Sequence, residues 1–127
     1  MGKDERRKGS SIGRLKRRAD FLRVAAARRK WAAPGLILQA APQPDSTDES
    51  PVRVGFTASR KVGNAVKRNR ARRRLKALVA EMLDGSVNPG LDLVLIARPA
   101  TVDRPFDELR RDLQQSLNRT KAARKTH

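Results

Sequence analysis

The sequence has no cysteine and no tyrosine, and its 127 residues include one tryptophan, one histidine and three phenylalanines. Without cysteine there are no disulfides and no thiolate metal sites, so the chain suits a reducing compartment. The one histidine is His127, a terminal residue where chains fray, and it offers no usable base or ligand. No apolar run approaches the roughly 18 residues of a membrane span, and the basic opening MGKDERRKGSSIGR lacks the apolar core of a secretory signal. A cytoplasmic protein is expected. Phosphate-loop, GxGxxG and nucleophile-elbow patterns are missing. Glu81, Asp84, Asp92, Asp103, Asp107, Glu108 and Asp112 fit helix ends, a strand start and helix surface, with no metal or acid/base spacing among them. The most informative absence is local: from Arg53 to Lys76 there are ten Lys or Arg and no acid.

What is present is positive charge, +17 in all. A surface repelling itself that strongly calls for a polyanion, and nucleic acid is the first choice. The charge is blocked. Met1 to Trp31 carries 12 basic and 3 acidic residues, and residues 77–127 carry 8 and 7, as an ordinary solvated surface would. An apolar fraction of 38% allows a modest aliphatic core in a single domain.

Residues 1–13 read as a disordered basic arm, residues 14–118 as one α/β domain, and residues 119–127 as a basic flexible tail. Within the domain, Asp20 is placed to cap a short helix with Phe21, Val24 and Ala25 on its apolar face. A strand is predicted over residues 35–40, then a Pro- and Ser-rich loop over 41–51. From Val52 to Ser59 alternation predicts a strand with Val52, Val54, Phe56 and Ala58 on one face. A long helix follows Val62-Gly63-Asn64 and runs to about Leu83, with Ala71, Leu75, Leu78, Val79 and Met82 as its packing stripe. Leu91 to Ala97 reads as a buried central strand, and Pro105 opens a last helix with Phe106, Leu109, Leu113 and Leu117 facing inward.

The long helix carries the functional signal. Seven of the ten residues from Lys67 to Lys76 are basic. A solvated helix face normally mixes Glu with Lys to gain pairs four apart, and here the acids are missing. Phosphates would offset the repulsion, and arginine suits bidentate contact with them. Asn69, Arg70, Arg73 and Lys76 fall opposite the packing stripe, flanked by Lys67 and Arg74. Arg68 falls in line with the stripe, so the first turns are expected to project past the sheet edge. Ser59, Arg60 and Lys61 lead into Gly63-Asn64 and the helix N-terminus, a phosphate cradle on general grounds.

SRKVGNAVKRNRARRRLK closely resembles the signature of the bacterial ribonuclease P protein family, in which an R-V-G-[FL]-x-x-S strand precedes K-x-G-x-A-V-x-R-N-R and a basic helix. RLKRRADFLRV near the start and IARPA after the last predicted strand resemble their family counterparts, so the likeness runs from about Arg14 to Leu117. It implies an α/β sandwich of two layers, like a ribosomal small-subunit protein domain, with about four strands, three helices and a left-handed βαβ crossover. It also implies a division of labour: a catalytic RNA subunit holding Mg2+ removes the 5′ leader of precursor tRNA, and the protein is an accessory subunit with no catalytic residue of its own.

Carried over by position, the resemblance assigns Ser59, Arg60, Lys61, Asn64, Lys67, Arg68, Asn69, Arg70, Arg72, Arg73, Arg74 and Lys76 to the ribonuclease P RNA. It assigns Phe21 to a cleft for the single-stranded leader, with Arg14, Lys16 and Arg17 at its entrance and Trp31 as a further aromatic. Phe21 on an amphipathic helix also reads as a core residue, and the sequence leaves Trp31 open between RNA and core. The family often has stacking aromatics where this chain has Ala25, Leu36 and Gln39, which implies weaker stacking. The expected partners are the catalytic RNA and precursor tRNA, with no DNA, membrane or protein-bound metal and a monomeric protein. A ribosomal protein or general RNA chaperone would explain the charge but does not require this motif order.

Overall fold

The computed structural model describes residues 12–47 and 50–124. Among the described residues five strands form one mixed sheet in the order β1-β4-β5-β3-β2: β1 Ile12–Arg14, β2 Arg29–Ala32, β3 Leu36–Pro42, β4 Val52–Thr57 and β5 Leu91–Ala97. β1, β4 and β5 run parallel, and β3 pairs antiparallel with both β5 and β2. The same residues form three helices: α1 Arg18–Ala26, α2 Ala65–Met82 and α3 Phe106–Arg119. Short 3-10 turns at Arg60–Val62 and Pro99–Val102 follow β4 and β5.

Alternation in the strands sorts residues between two faces. Val52, Val54, Leu93, Leu95, Leu36 and Leu38 join Leu75, Leu78, Leu109, Leu113 and Leu117 in the main core, beneath α2 and α3. Each such Leu contributes about 1.5–3 kcal/mol by leaving water. The other face is covered by α1 through a smaller cluster of Leu15, Val24, Ala41 and Val94, with Phe21 packed against it. α1 therefore adds a partial third layer to the expected sandwich.

Local chemistry sets the ends of the helices. Asn64 caps α2 by accepting the Lys67 N–H at 2.9 Å. Past its end, Gly85 takes φ 75°, a turn conformation that suits glycine. α3 follows Pro105 at its N-cap, with Asp107 and Glu108 in the first turn against the positive end of the helix dipole.

Two of the strands were not anticipated. β1 lies partly in the expected arm: Ile12 and Gly13 pair with Val52 and Arg53, because parallel addition to β4 satisfies backbone groups that composition does not register. The rest of that arm lies outside the described residues. β2 falls in a stretch to which no strand was assigned: α1 ends at Ala26 and Arg28 turns left-handed before the strand begins. The expected flexible tail is ordered through Arg124. Thr120 and Ala122 are buried, Ala123 bridges to Val87, and the Arg124 N–H donates to Ser86 O at 2.8 Å. Asp20 is not a cap. It lies inside the first turn of α1, whose N-cap is Arg17, and Ala25 on the same helix is exposed.

Asp92 and Asp112, expected at a strand start and on a helix surface, are buried. Both are held by arginine forks. Arg53 donates to Asp92 at 2.8 and 2.7 Å, and Arg104 donates to Asp112 at 2.7 and 3.2 Å. A carboxylate out of water requires such partners.

Candidate nucleic-acid interface

The long helix uses its cations in three directions. On one flank Arg70 and Arg74 turn toward the chain leaving β5. Arg70 Nε donates to Val102 O at 2.9 Å, and Arg74 donates to Thr101 O and Arg104 O, both at 2.6 Å. Burial, followed by the neighbouring charge of Arg70, lowers the Arg74 pKa from its ordinary value. Arg74 thus serves the fold, and Arg70 is partly committed to it, a use that helical position alone does not reveal. The receiving turn is itself braced: the Thr101 hydroxyl donates to Gly35 O at 2.6 Å, and Arg98 donates to Ala33 O at 2.7 Å. The Pro99–Val102 turn, with Arg104 just beyond it, is therefore a bracket that fixes the height of α2 against the sheet.

On the opposite flank Arg72 and Lys76, four residues apart, overlook the open edge of β4. β1 pairs only as far as Val54, whereas β4 continues to Thr57, so Gly55, Phe56 and Thr57 lack a strand neighbour on that side. A small pocket there is lined by Arg14, Phe21, Gly55, Phe56, Arg72 and Lys76. Phe21 rests on the backbone of Gly55, where a Cβ would come within 2.5 Å of its ring. It is half-buried, so the same side chain packs on the sheet and lines the pocket. Lys16 and Arg17 are exposed in the adjoining segment between β1 and α1.

Lys67, Asn69 and Arg73 point outward, and among the described residues no side-chain partner holds Lys67 or Arg73. Arg72 Nη2 donates to Asn69 Oδ1 at 2.6 Å, a contact within the helix itself. Arg68 does not project past the sheet. It is half-buried and donates to Gly63 O at 3.0 Å, closing the turn before the helix. Arg60 and Lys61 are exposed beside that turn, where Ser59 Oγ accepts the Lys61 N–H at 3.3 Å. Asn64 occupies the Lys67 N–H, and the N–H groups of Ala65 and Val66 have no intrahelical acceptor.

Trp31 does not join Phe21. Its register partner is Leu38, which faces α3, so the indole lies on the opposite side of the sheet from the Phe21 pocket, with the Arg119 guanidinium 4.8 Å from its ring centroid. Leu36 is wholly buried in the main core, so it is no counterpart of a stacking residue. Residues missed from sequence are the ones that hold α1 in place. Arg23 binds Asp92 and donates to Pro42 O at 2.9 Å, while Arg53 grips Asp92 from the sheet. The hydrogen bonds to Asp92 raise the Arg53 pKa. The available signal was Asp92 itself, a charge inside the apolar run LDLVLIA.

Among the described residues no three His, Cys, Asp or Glu converge on a metal-sized space, and no helix is long and apolar enough to cross a membrane. The family profile described as Ribonuclease P matches residues 11–121. The chain is 58% identical over 118 residues to the ribonuclease P protein component of Paramagnetospirillum magneticum, covering 91% of this chain and 88% of that one. It is 46% identical to that of Ruegeria pomeroyi over 114 residues, covering 89% and 90%. A solved Staphylococcus aureus RNase P protein, a mutant with defective mRNA degradation activity, superposes with a TM-score of 0.71 at 25% identity, covering 86% of this chain and 88% of that one. The Thermotoga maritima RNase P protein shares the fold, with a TM-score of 0.65 at 23% identity over 80% of this chain and 92% of that one. The unpaired cations of α2, the pocket at the open β4 edge and these relatives agree, and the chain belongs to the ribonuclease P protein family.

Proposed function

We propose that this chain is the accessory subunit of a ribonucleoprotein endonuclease, with α2 on the catalytic RNA and the Phe21 pocket on the 5′ leader of precursor tRNA. The observation that carries this reading is the continuity of the two surfaces: Arg72 and Lys76 belong to the basic helix and also line the pocket beside Phe21 and Arg14. A leader passing through the pocket would stay next to the RNA that cuts it. Arg73, Lys67 and Asn69 face that RNA, with Arg60 and Lys61 at the helix entrance. Arg14, Lys16 and Arg17 attract leader phosphates, and Phe21 offers a ring edge to a base. The bracketed Arg74 holds the helix in place rather than touching RNA.

Hydrolysis is assigned to the RNA subunit, which would hold Mg2+ and supply the activated water. This chain binds, orients and neutralises phosphate. We place the complex in the cytoplasm, with a single protein copy.

Reconstitution tests the reading. Protein with a bacterial catalytic RNA is expected to release the leader at low Mg2+, and protein alone is expected to leave precursor tRNA intact. Phe21→Ala is expected to weaken affinity for a long-leader precursor by about 1–3 kcal/mol and to leave mature tRNA unaffected. A correct mature 5′ end made without RNA would overturn the division of labour. Equal loss for long-leader and mature tRNA would remove Phe21 from leader binding.

A further inference from the structure

A second group of cations gathers at the far margin of the sheet. Two stretches without acids supply it, residues 21–44 and 113–124, and the packing of α3 against β2 brings them together. Arg29 on β2 donates through Nε to Thr120 O at 2.5 Å and through Nη2 to Lys121 O at 2.9 Å. Arg119 lies over the Trp31 ring. Arg28, Arg119 and Lys121 are exposed, and among the described residues none of them has an acidic partner.

The backbone at two of these residues is unusual. Arg28 and Lys121 both take φ 61°, and each directly follows a helix C-cap, Ala27 for α1 and Thr120 for α3. At the end of α3 the Lys121 N–H donates to Asn118 O at 3.2 Å and the Ala122 N–H to Leu117 O at 2.9 Å. This is the helix-ending arrangement in which the left-handed residue is usually Gly, sometimes Asn. An L side chain there is disfavoured. A cation near a helix C-terminus complements the dipole, but Arg29 already holds the Thr120 and Lys121 carbonyls just past α3. Charges on an edge strand deter strand addition, which accounts for Lys30 on β2 itself but does not call for long cations at two left-handed positions beyond the helices.

We propose that Arg28, Arg119 and Lys121, arranged around Arg29 and Trp31, form a second surface for the phosphate backbone of a structured RNA. The proposal rests on the reading that the partner is RNA. Four strand spacings, about 19 Å, separate β2 from β1 and the leader pocket, so this patch meets phosphates distant from those held there. Both the catalytic RNA and the body of the tRNA present such phosphates.

The test is the pair Arg28→Gly and Lys121→Gly, made together and compared with Arg73→Ala on α2. Glycine suits both backbones, so the melting temperature is expected to hold or rise. Affinity is expected to fall about tenfold near physiological salt, with the log–log salt slope reduced by about 0.7–0.9 per lost phosphate contact. Arg28→Lys with Lys121→Arg is expected to restore binding. Measuring the catalytic RNA with protein alone, and precursor and mature tRNA with the assembled enzyme, identifies which RNA lies on the patch from the arm in which the slope falls. If the glycine pair keeps affinity and slope toward every RNA while Arg73→Ala loses them, the patch is refuted and the α2 reading stands. If neither variant changes anything, both fall. A lower melting temperature for the glycine pair would also overturn the proposal, since the cations would then serve the fold.

Discussion

α2 and α3 lie on the same sheet face and bury similar aliphatic stripes, yet their outer surfaces follow opposite rules. At the start of α3, Arg104 pairs with Glu108 at 3.0 Å and with Asp112 at 2.7 Å, and within the helix Arg110 pairs with Asp107 and with Glu81. Along α2 the positions four apart are like-charged: Arg68 with Arg72, Arg70 with Arg74, Arg72 with Lys76. Each such pair costs a few tenths of a kcal/mol where its opposite would gain as much. Glu81, the sole acid of α2, sits in the last turn and faces α3. On the proposed reading, the number of arginines therefore does not mark the RNA face; the absence of counter-charge does.

If the helices differ only outside, equal damage to their insides should have equal effects. Leu75→Ala in α2 and Leu113→Ala in α3 remove side chains that are both fully buried. Each is expected to lower unfolding free energy by about 2–5 kcal/mol in urea titration. A much smaller loss for Leu75 would mean that α2 is held by its arginine bonds to the Pro99–Val102 turn rather than by its stripe.

The next effect contrasts the two faces of the sheet. The main core is aliphatic, whereas α1 is tied down by the buried Asp92 between Arg23 and Arg53. Asp92→Ala would leave the two guanidiniums with Asp20 alone as counter-charge, at 3.3 Å from Arg23 and 3.9 Å from Arg53. With both arginines about a third exposed, water recovers part of the loss, and about 2 kcal/mol is expected. Leader affinity should fall as α1 loosens while affinity for the catalytic RNA holds, which binding assays on the two RNAs would show. Loss of both would tie α1 to the α2 surface.

The outer surfaces are compared directly by Arg73→Ala and Arg110→Ala. Arg73 is exposed and unpartnered among the described residues, so its loss should reduce the salt slope of RNA binding by about 0.7–0.9 and leave unfolding unchanged. Arg110 is paired twice and stands 4.8 Å from the Phe106 ring centroid. Its loss should leave RNA affinity as it was. A drop for Arg110→Ala would mean that counter-charge does not separate the two helices.

The stripes and the blocked charge were legible because periodicity and sign are local properties of sequence. Ala71, Leu75, Leu78 and Val79 are buried, and Met82 packs against them half-exposed, at the spacing that predicts a helix face. What could not be read depends on partners far along the chain. β1 exists by pairing with a strand 40 residues later, Ile12 to Val52. Arg74 and Arg73 are neighbours of one type, and only the position of the Pro99–Val102 turn commits the first to the fold and leaves the second free. Asp92 does stand near the start of β5, but nothing local foretells its burial between Arg23 and Arg53, which reach it from two other elements. The left-handed residues at Arg28 and Lys121 break the glycine rule, so no local signal marked the end of α1 at one or the ordered turn after α3 at the other.

The smallest effect concerns the contact that joins the two helices. Arg110 donates to Glu81, and this hydrogen bond is the leading cause that holds the Glu81 pKa below its ordinary value. A carboxylate with a depressed folded-state pKa adds stability in full above its unfolded pKa, and loses it as pH falls through the folded value. Glu81→Gln should therefore unfold at a slightly lower temperature than the parent at pH 7, and the gap should close on acidification below about pH 4.5. Both partners are well exposed, so salt should narrow the gap at pH 7 as well. The same variant should bind RNA no more weakly than the parent, because Glu81 neutralises a cation of α3 and none of the outward cations of α2. If the gap persisted at pH 2, its source would be packing rather than charge. If instead RNA binding weakened, the acid at the end of α2 would belong to the interface, and the contrast between the helices would fail at its one shared residue pair.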